Sequence, residues 1–256
     1  MLDKRPGFSQ KSAMAISAAQ RDIVIVHSSD LHVDNVFTAS THGGDGNMGV
    51  RAVMATARAV NADLVLWAGD VFEHNRLPDE LISVTAQLVA DAGMPVVMLP
   101  GNHDPILDES DFYRGVLAEP DNFHILGADD DVISLPDLDL EVWGRAHRSY
   151  GDMMPLESHT GARKARWHIA MAHGHYHPDP MSITPPRPAW LLGDAHIEQT
   201  KADYVALGHW NQAIKVGAGS VPAYYSGSPE YANTVNLIRF KVNGDVTVDR
   251  EPIRWE

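Results

Sequence analysis

Cysteine is absent from this 256-residue chain. That excludes disulfides and thiolate metal sites, and leaves His, Asp, Glu and Asn as the side chains that could hold a metal ion. Basic residues are also scarce, with 20 Lys and Arg against 34 Asp and Glu for a net charge of −14. Such a balance argues against a general polyanion-binding surface, because nucleic-acid affinity comes largely from cationic side chains displacing phosphate counterions. A local basic groove stays open. No run reaches the ~18–20 uncharged apolar residues of a membrane span, and residues 1–22 lack the apolar block of a secretory signal. The expectation is a cytoplasmic protein with no membrane contact. What is present, 44% hydrophobic and 21% charged residues, is an ordinary globular composition. The length suits one large domain. Residues 1–22 read as an N-terminal leader and residues 23–256 as a single domain.

The β-branched run Ile23 to Val26 predicts a first buried strand. A Gly-rich loop at 43–49 then leads to a helix over Met48 to Asn61, with Val50, Val53, Met54, Ala57 and Val60 on one apolar face. Strands follow at Asp63 to Ala68 and Val96 to Leu99, around a helix from Asp79 to about Ala92. This is β-α-β, the mark of parallel strands with helical crossovers in an α/β fold. Residues 102–141 carry 12 acids and the single base Arg114. They read as a solvated acidic face with short strands at Phe123 to Leu126 and Leu138 to Trp143. Strands are further expected at Trp167 to Ala172 and Tyr204 to Leu207, separated by a Pro-rich rigid loop over 178–188. Asn243-Gly244 predicts a type I′ turn closing a terminal hairpin of Val235 to Val242 with Val246 to Val248.

Ligand-type residues follow five of these strands: Ser29-Asp30-Leu31-His32, Gly69-Asp70, Gly101-Asn102-His103-Asp104, His173, and Gly208-His209-Trp210-Asn211. Each alone is an ordinary turn or cap. Together they arrive at the carboxyl ends of sheet strands, where open α/β sheets build their sites. Carboxylates, imidazoles and a carboxamide without sulfur suit Mn²⁺ first, then Fe or Zn²⁺, and suit Ca²⁺ and Cu(I) poorly. Six or seven donors exceed one site, so two divalent ions are expected, with one Asp between them.

The strings Val26-His27-Ser28-Ser29-Asp30-Leu31-His32, Gly69-Asp70-Val71-Phe72-Glu73-His74-Asn75, Gly101-Asn102-His103-Asp104, Ala172-His173-Gly174 and Leu207-Gly208-His209 resemble the ordered motifs of the calcineurin-like metallophosphoesterases. Within that superfamily the chain is most similar to the catalytic core of SbcD-type DNA-repair exonucleases, through its His-x-Ser-Asp-x-His opening, its Gly-Asp-x-Phe and Tyr225-Ser226-Gly227-Ser228-Pro229-Glu230. The match covers residues 27–230. It implies a four-layer α/β/β/α sandwich, Asp30 and His32 on a first metal, Asp70 as the bridge, and Asn102, His173 and His209 on a second. It further implies His103 as a non-ligand histidine beside the leaving group, oriented by Asp104. The chemistry agrees, since a hydroxide held between two cations is a nucleophile at neutral pH and a nearby histidine can protonate the leaving oxygen.

Two departures stand out. Asn211 occupies the place where the resembled pattern has a second histidine, so the first metal is expected to be held weakly, or completed by water, His175 or His177. Only about 26 residues follow Glu230, too few for the DNA-contacting cap of the exonucleases. The expected function is therefore a dinuclear metal-dependent phosphoesterase attacking phosphodiester bonds, nuclease-like by resemblance, with nucleic acid or nucleotide among its candidate substrates. Hydrolysis of a small phosphorylated metabolite is the alternative, and a catalytically weakened metal-binding partner protein a third reading. Arg145, Arg148, Arg163, Lys164 and Arg166 are the residues from which a strand-tracking groove could be built.

Overall fold

The apolar runs of the central strands form two stacked sheets with apolar side chains on both faces. The computed structural model describes residues 21–255 apart from 109, 111, 112, 114, 129, 158–162 and 186. Apart from Arg21 and Asp22, the expected leader lies outside the described residues. The chain begins β1 (Ile23–Ser28), α1 (Val36–Thr41), α2 (Met48–Ala59), β2 (Leu64–Ala68), α3 (Asp79–Ala90), β3 (Val96–Leu99) and β4 (Phe123–Ile125). It continues β5 (Val132–Leu135), β6 (Leu140–Gly144), β7 (Trp167–His173), β8 (His175–Tyr176), β9 (Leu191–Leu192), α4 (Asp194–Thr200) and β10 (Tyr204–Gly208). It ends β11 (Ile214–Val216), β12 (Ala223–Tyr225), α5 (Pro229–Ala232), β13 (Thr234–Phe240) and β14 (Val246–Pro252).

The first sheet has the order β14-β13-β1-β2-β3-β4 and the second β11-β12-β10-β7-β6-β5. β1 to β4 are parallel, as the β-α-β pattern requires, and so are β6, β7, β10 and β12. In β7, Ile169 and Met171 enter the core shared with the first sheet, whereas Ala170 and Ala172 join the outer core. β10 does the same with Tyr204 and Ala206 against Val205 and Leu207. This period of two, apolar on both faces, belongs to a strand covered above and below. Outside the first sheet, α2 buries Val50, Val53, Met54 and Ala57, and α3 buries Ile82, Ala86 and Val89. Outside the second sheet, α4 inserts Ile197 beside Leu192 and Val205. Two central sheets flanked by helices are thus the four layers. Among the described residues no helix is long and apolar enough to cross a membrane.

The terminal hairpin differs from expectation at its turn. Only Gly244 has positive φ (97°), its N–H donates to Lys241 O at 2.9 Å, and Lys241 N–H donates to Asp245 O at 2.9 Å. Type I′ needs positive φ at both central residues, and Asn243 does not supply it; the turn is a type I turn with a Gly bulge. The expected strand at Leu138 begins instead at Leu140, because Pro136 to Leu138 form a 3₁₀ turn released by the left-handed Asp139 (φ 46°).

Candidate metal centre

The carboxyl ends of β1, β2 and β3 meet those of β7 and β10, since β2 packs on both β7 and β10. Asp30 and His32 follow β1, Asp70 follows β2, Asn102 and His103 follow β3, His173 ends β7, and His209 follows β10. Backbone bonds from Asp30 N–H to Gly69 O (2.9 Å) and His32 N–H to Asp70 O (3.1 Å) lock the first two loops together. Asp30, His32, Asp70 and His209 all hold left-handed backbone, with φ of 55°, 46°, 51° and 107°. Non-glycine residues in that region carry strain that surrounding structure must overcome, and such residues gather at functional sites. The motif glycines make room. A Cβ on Gly208 would lie 1.9 Å from Ala68 O, and one on Gly69 would lie 2.1 Å from His173 Nδ1.

Donor atoms of Asp70, His173 and His209 lie within 4.8 Å of one another, as do those of Asp30, His32 and Asp70. Asp70 belongs to both groups. His173 Nδ1 lies 2.8 Å from Ala68 O, a carbonyl that can only accept, so Nδ1 carries the hydrogen and Nε2 points inward. There Nε2 meets Asp70 Oδ2 at 3.0 Å and Asn102 Oδ1 at 3.1 Å. Asn102 Oδ1 also lies 3.1 Å from His209 Nδ1. Acceptors crowd around Nε2, an arrangement that calls for a proton or a cation.

The electrostatics agree. Burial pushes the His173 imidazole down, but the Asp70 carboxylate lifts it to about 9. Burial likewise pushes Asp70 up, and His173 more than offsets this, holding it below the usual carboxylate range. Burial and the neighbouring Asp70 carboxylate raise Asp30 despite the pull of His173. Burial, then His173, lowers His209 to about 4, so its ring is neutral and offers a lone pair. Two buried carboxylates facing the neutral His209 imidazole, a carboxamide and a His173 whose proton a cation would replace fit divalent cations, which would relieve the carboxylate repulsion.

Around this centre, Ser29 Oγ donates to Asp30 Oδ2 at 2.5 Å and His209 N–H donates to the same oxygen at 3.0 Å. His103 N–H donates to Asp70 Oδ1 at 2.9 Å. Asp104, expected to orient His103, does something else. It is fully buried, and its oxygens accept N–H bonds from Val71 (2.9 Å), Phe72 (3.1 Å) and Gly101 (2.6 Å), clamping the Asp70 loop to the Asn102 loop. Burial, then Asp70, pushes its carboxyl up to about 7.

His103 is fixed by Glu73, a residue quoted within its motif but not singled out from sequence. The Glu73 backbone O lies 3.0 Å from His103 Nδ1, and its Oε2 lies 3.0 Å from His32 Nδ1, although without hydrogen-bond alignment. Glu73, His32 and His103 form a third cluster of metal-ligand type. The motif spacing gives no sign of this, because the contact depends on the parallel bridge between Val33 and Phe72, with Glu73 N–H donating to Val33 O at 3.0 Å. Asn211 is exposed and lines a cavity of about 320 Å³ together with Asp30, His32, Glu73 and His103. His175 Nδ1 accepts from Trp210 Nε1–H at 3.2 Å, and His177 Nδ1 accepts from Asp179 N–H at 3.2 Å. Neither belongs to a donor group among the described residues.

Comparison with known proteins adds the family. No match was found among curated protein sequences. Among solved structures, the fold is shared by the protein TT1561 of Thermus thermophilus at 11% identity and TM-score 0.54, covering 89% of this chain and 98% of that one. It is also shared by a Staphylococcus aureus protein described as a candidate 5′-nucleotidase, at 16% identity and TM-score 0.57, covering 91% of this chain. This chain spans only 54% of that protein. A family model described as calcineurin-like phosphoesterase matches residues 23–213, and the chain belongs to that family.

Proposed function

We infer that the protein is a dinuclear metal-dependent hydrolase of phosphodiester bonds in small substrates. The observation that carries this reading is the position of Asp70 in two donor groups at once. Asp30 and His32 would hold one ion, Asn102, His173 and His209 the other, and Asp70 both. Mn²⁺ is the first candidate, then Fe or Zn²⁺. Divalent ions in this donor set supply Lewis acidity toward a phosphoryl oxygen and acidify water at neutral pH. His103, with Nδ1 against the Glu73 carbonyl and its ring on the cavity wall, is suited to give a proton to the departing oxygen.

The charge distribution favours small esters over duplex DNA. Arg145 pairs with Glu157, Arg148 with Asp131 at 3.6 Å, and Arg163 with Asp203. Arg166 lies over the Trp167 ring at 4.9 Å and donates to Val242 O at 2.6 Å. These cations are engaged by neighbours, so they offer few phosphate contacts. SbcD-type exonuclease activity is thus the less favoured specificity.

The test is turnover of bis(p-nitrophenyl) phosphate against p-nitrophenyl phosphate with Mn²⁺, Fe²⁺ or Zn²⁺, for the wild type and His103→Ala. The diester should be preferred, and His103→Ala should keep its metal while turning over roughly 10²–10⁴ more slowly. Absence of hydrolysis with every metal would favour the metal-binding partner reading. Processive digestion of duplex DNA at about 0.15 M salt would favour the exonuclease one.

A further inference from the structure

We propose that Phe37 and Tyr231 grip a planar aromatic ring on the organic side of the substrate, giving the cavity specificity for esters that carry a nucleobase. Both residues are 69% exposed, and both line the cavity that holds Asp30, His32 and His103. Among the described residues the large exposed aromatics are Phe37, Tyr150 and Tyr231, so two of the three stand at this one opening. Exposing a large ring to water forgoes the stabilisation that burial would bring, and a flat ligand face would recover it.

Their exposure does not come from loose attachment. Phe37 sits on α1, whose N-cap Asn35 accepts from Thr38 N–H at 3.0 Å and donates through Nδ2 to Glu73 Oε2 at 3.0 Å. At the other end of α1, His42 stacks on Trp255 with ring centroids 4.7 Å apart. The helix is therefore pinned at both ends, and one pin is the residue that touches His32 and His103. Tyr231 sits on α5, directly after the Gly227 turn (φ 74°), where a Cβ would meet Asn211 O at 2.8 Å. That turn packs the Asn211 loop against the base of α5. Asn211 reaches the same cavity with no hydrogen-bond partner among the described residues, which leaves its carboxamide free to read ring edges. The one cavity thus offers ligands, a proton donor, two exposed aromatic rings and a carboxamide.

The inference rests on the phosphoesterase reading, and its test separates the two. Binding of adenosine 5′-monophosphate and ribose 5-phosphate to the Mn²⁺-loaded protein would be compared by calorimetry, since the first probe carries a base and the second lacks it. The nucleotide should bind at least tenfold more tightly, the usual worth of one base–aromatic stack. Phe37→Ala and Tyr231→Ala should each shrink that ratio several-fold, whereas the ring-retaining Phe37→Tyr and Tyr231→Phe should preserve it. Equal binding of the two probes, or a ratio untouched by either alanine variant, would overturn the clamp even if bis(p-nitrophenyl) phosphate is hydrolysed. A base-dependent ratio in a protein that hydrolyses no phosphoester would uphold the clamp and reject the hydrolase.

Discussion

Glu73 touches both histidines that flank the candidate metal centre, with its Oε2 3.0 Å from His32 Nδ1 and its backbone O 3.0 Å from His103 Nδ1. A carboxylate this close to a ligating histidine can accept its N–H once the ring aligns, which fixes the tautomer and raises the basicity. Glu73→Gln should therefore weaken cation affinity at the Asp30 and His32 site about 10–100-fold and spare the site of His173 and His209. Calorimetric titration with Mn²⁺ resolves the two sites. Two unchanged affinities would make Glu73 a bystander.

Metal uptake should release protons. With His173 lifted to about 9, its Nε2 is protonated at pH 7 in the metal-free protein, and a ligating nitrogen must lose that proton. His209, lowered to about 4, is already neutral and contributes none. Close to one proton from His173 should leave per protein, and affinity at that site should rise as pH climbs toward 9. Binding heats in buffers of different ionisation enthalpy count the protons; no release between pH 6 and 8 would contradict metal displacing a proton from His173.

The sheet core and the meeting of five strand-end loops at one edge are legible in the sequence because both rest on local rules. Runs such as Leu64–Ala68 are apolar throughout, and loops that end buried parallel strands collect at one edge. The weakly patterned elements are not legible. β5 and β11 carry several exposed or half-exposed side chains, β12 is three residues long, and α1 and α4 are a turn or two, too short for a helical period to show. In the site, residue types give the donors but not the orienting contacts. Asp104 adjoins His103 in sequence and bonds instead to the backbone of Val71, Phe72 and Gly101. Glu73, thirty residues away, is the residue whose backbone O meets His103 Nδ1.

Asn211→His should tighten the first metal site, because imidazole is a better donor than a neutral carboxamide for Mn²⁺ or Zn²⁺ and Asn211 already lines the cavity beside Asp30 and His32. Turnover at limiting metal should rise while turnover at saturating metal changes little. Unchanged affinity would mean that position 211 faces the substrate only.

The central claim is that one carboxylate serves two cations, and the metal content of Asp70→Asn tests it most directly. The amide keeps an oxygen near His103 N–H but cannot neutralise two ions. Elemental analysis of the purified, folded variant should find both ions lost together, alongside abolished diester hydrolysis. Retention of two ions with near wild-type turnover would contradict the account.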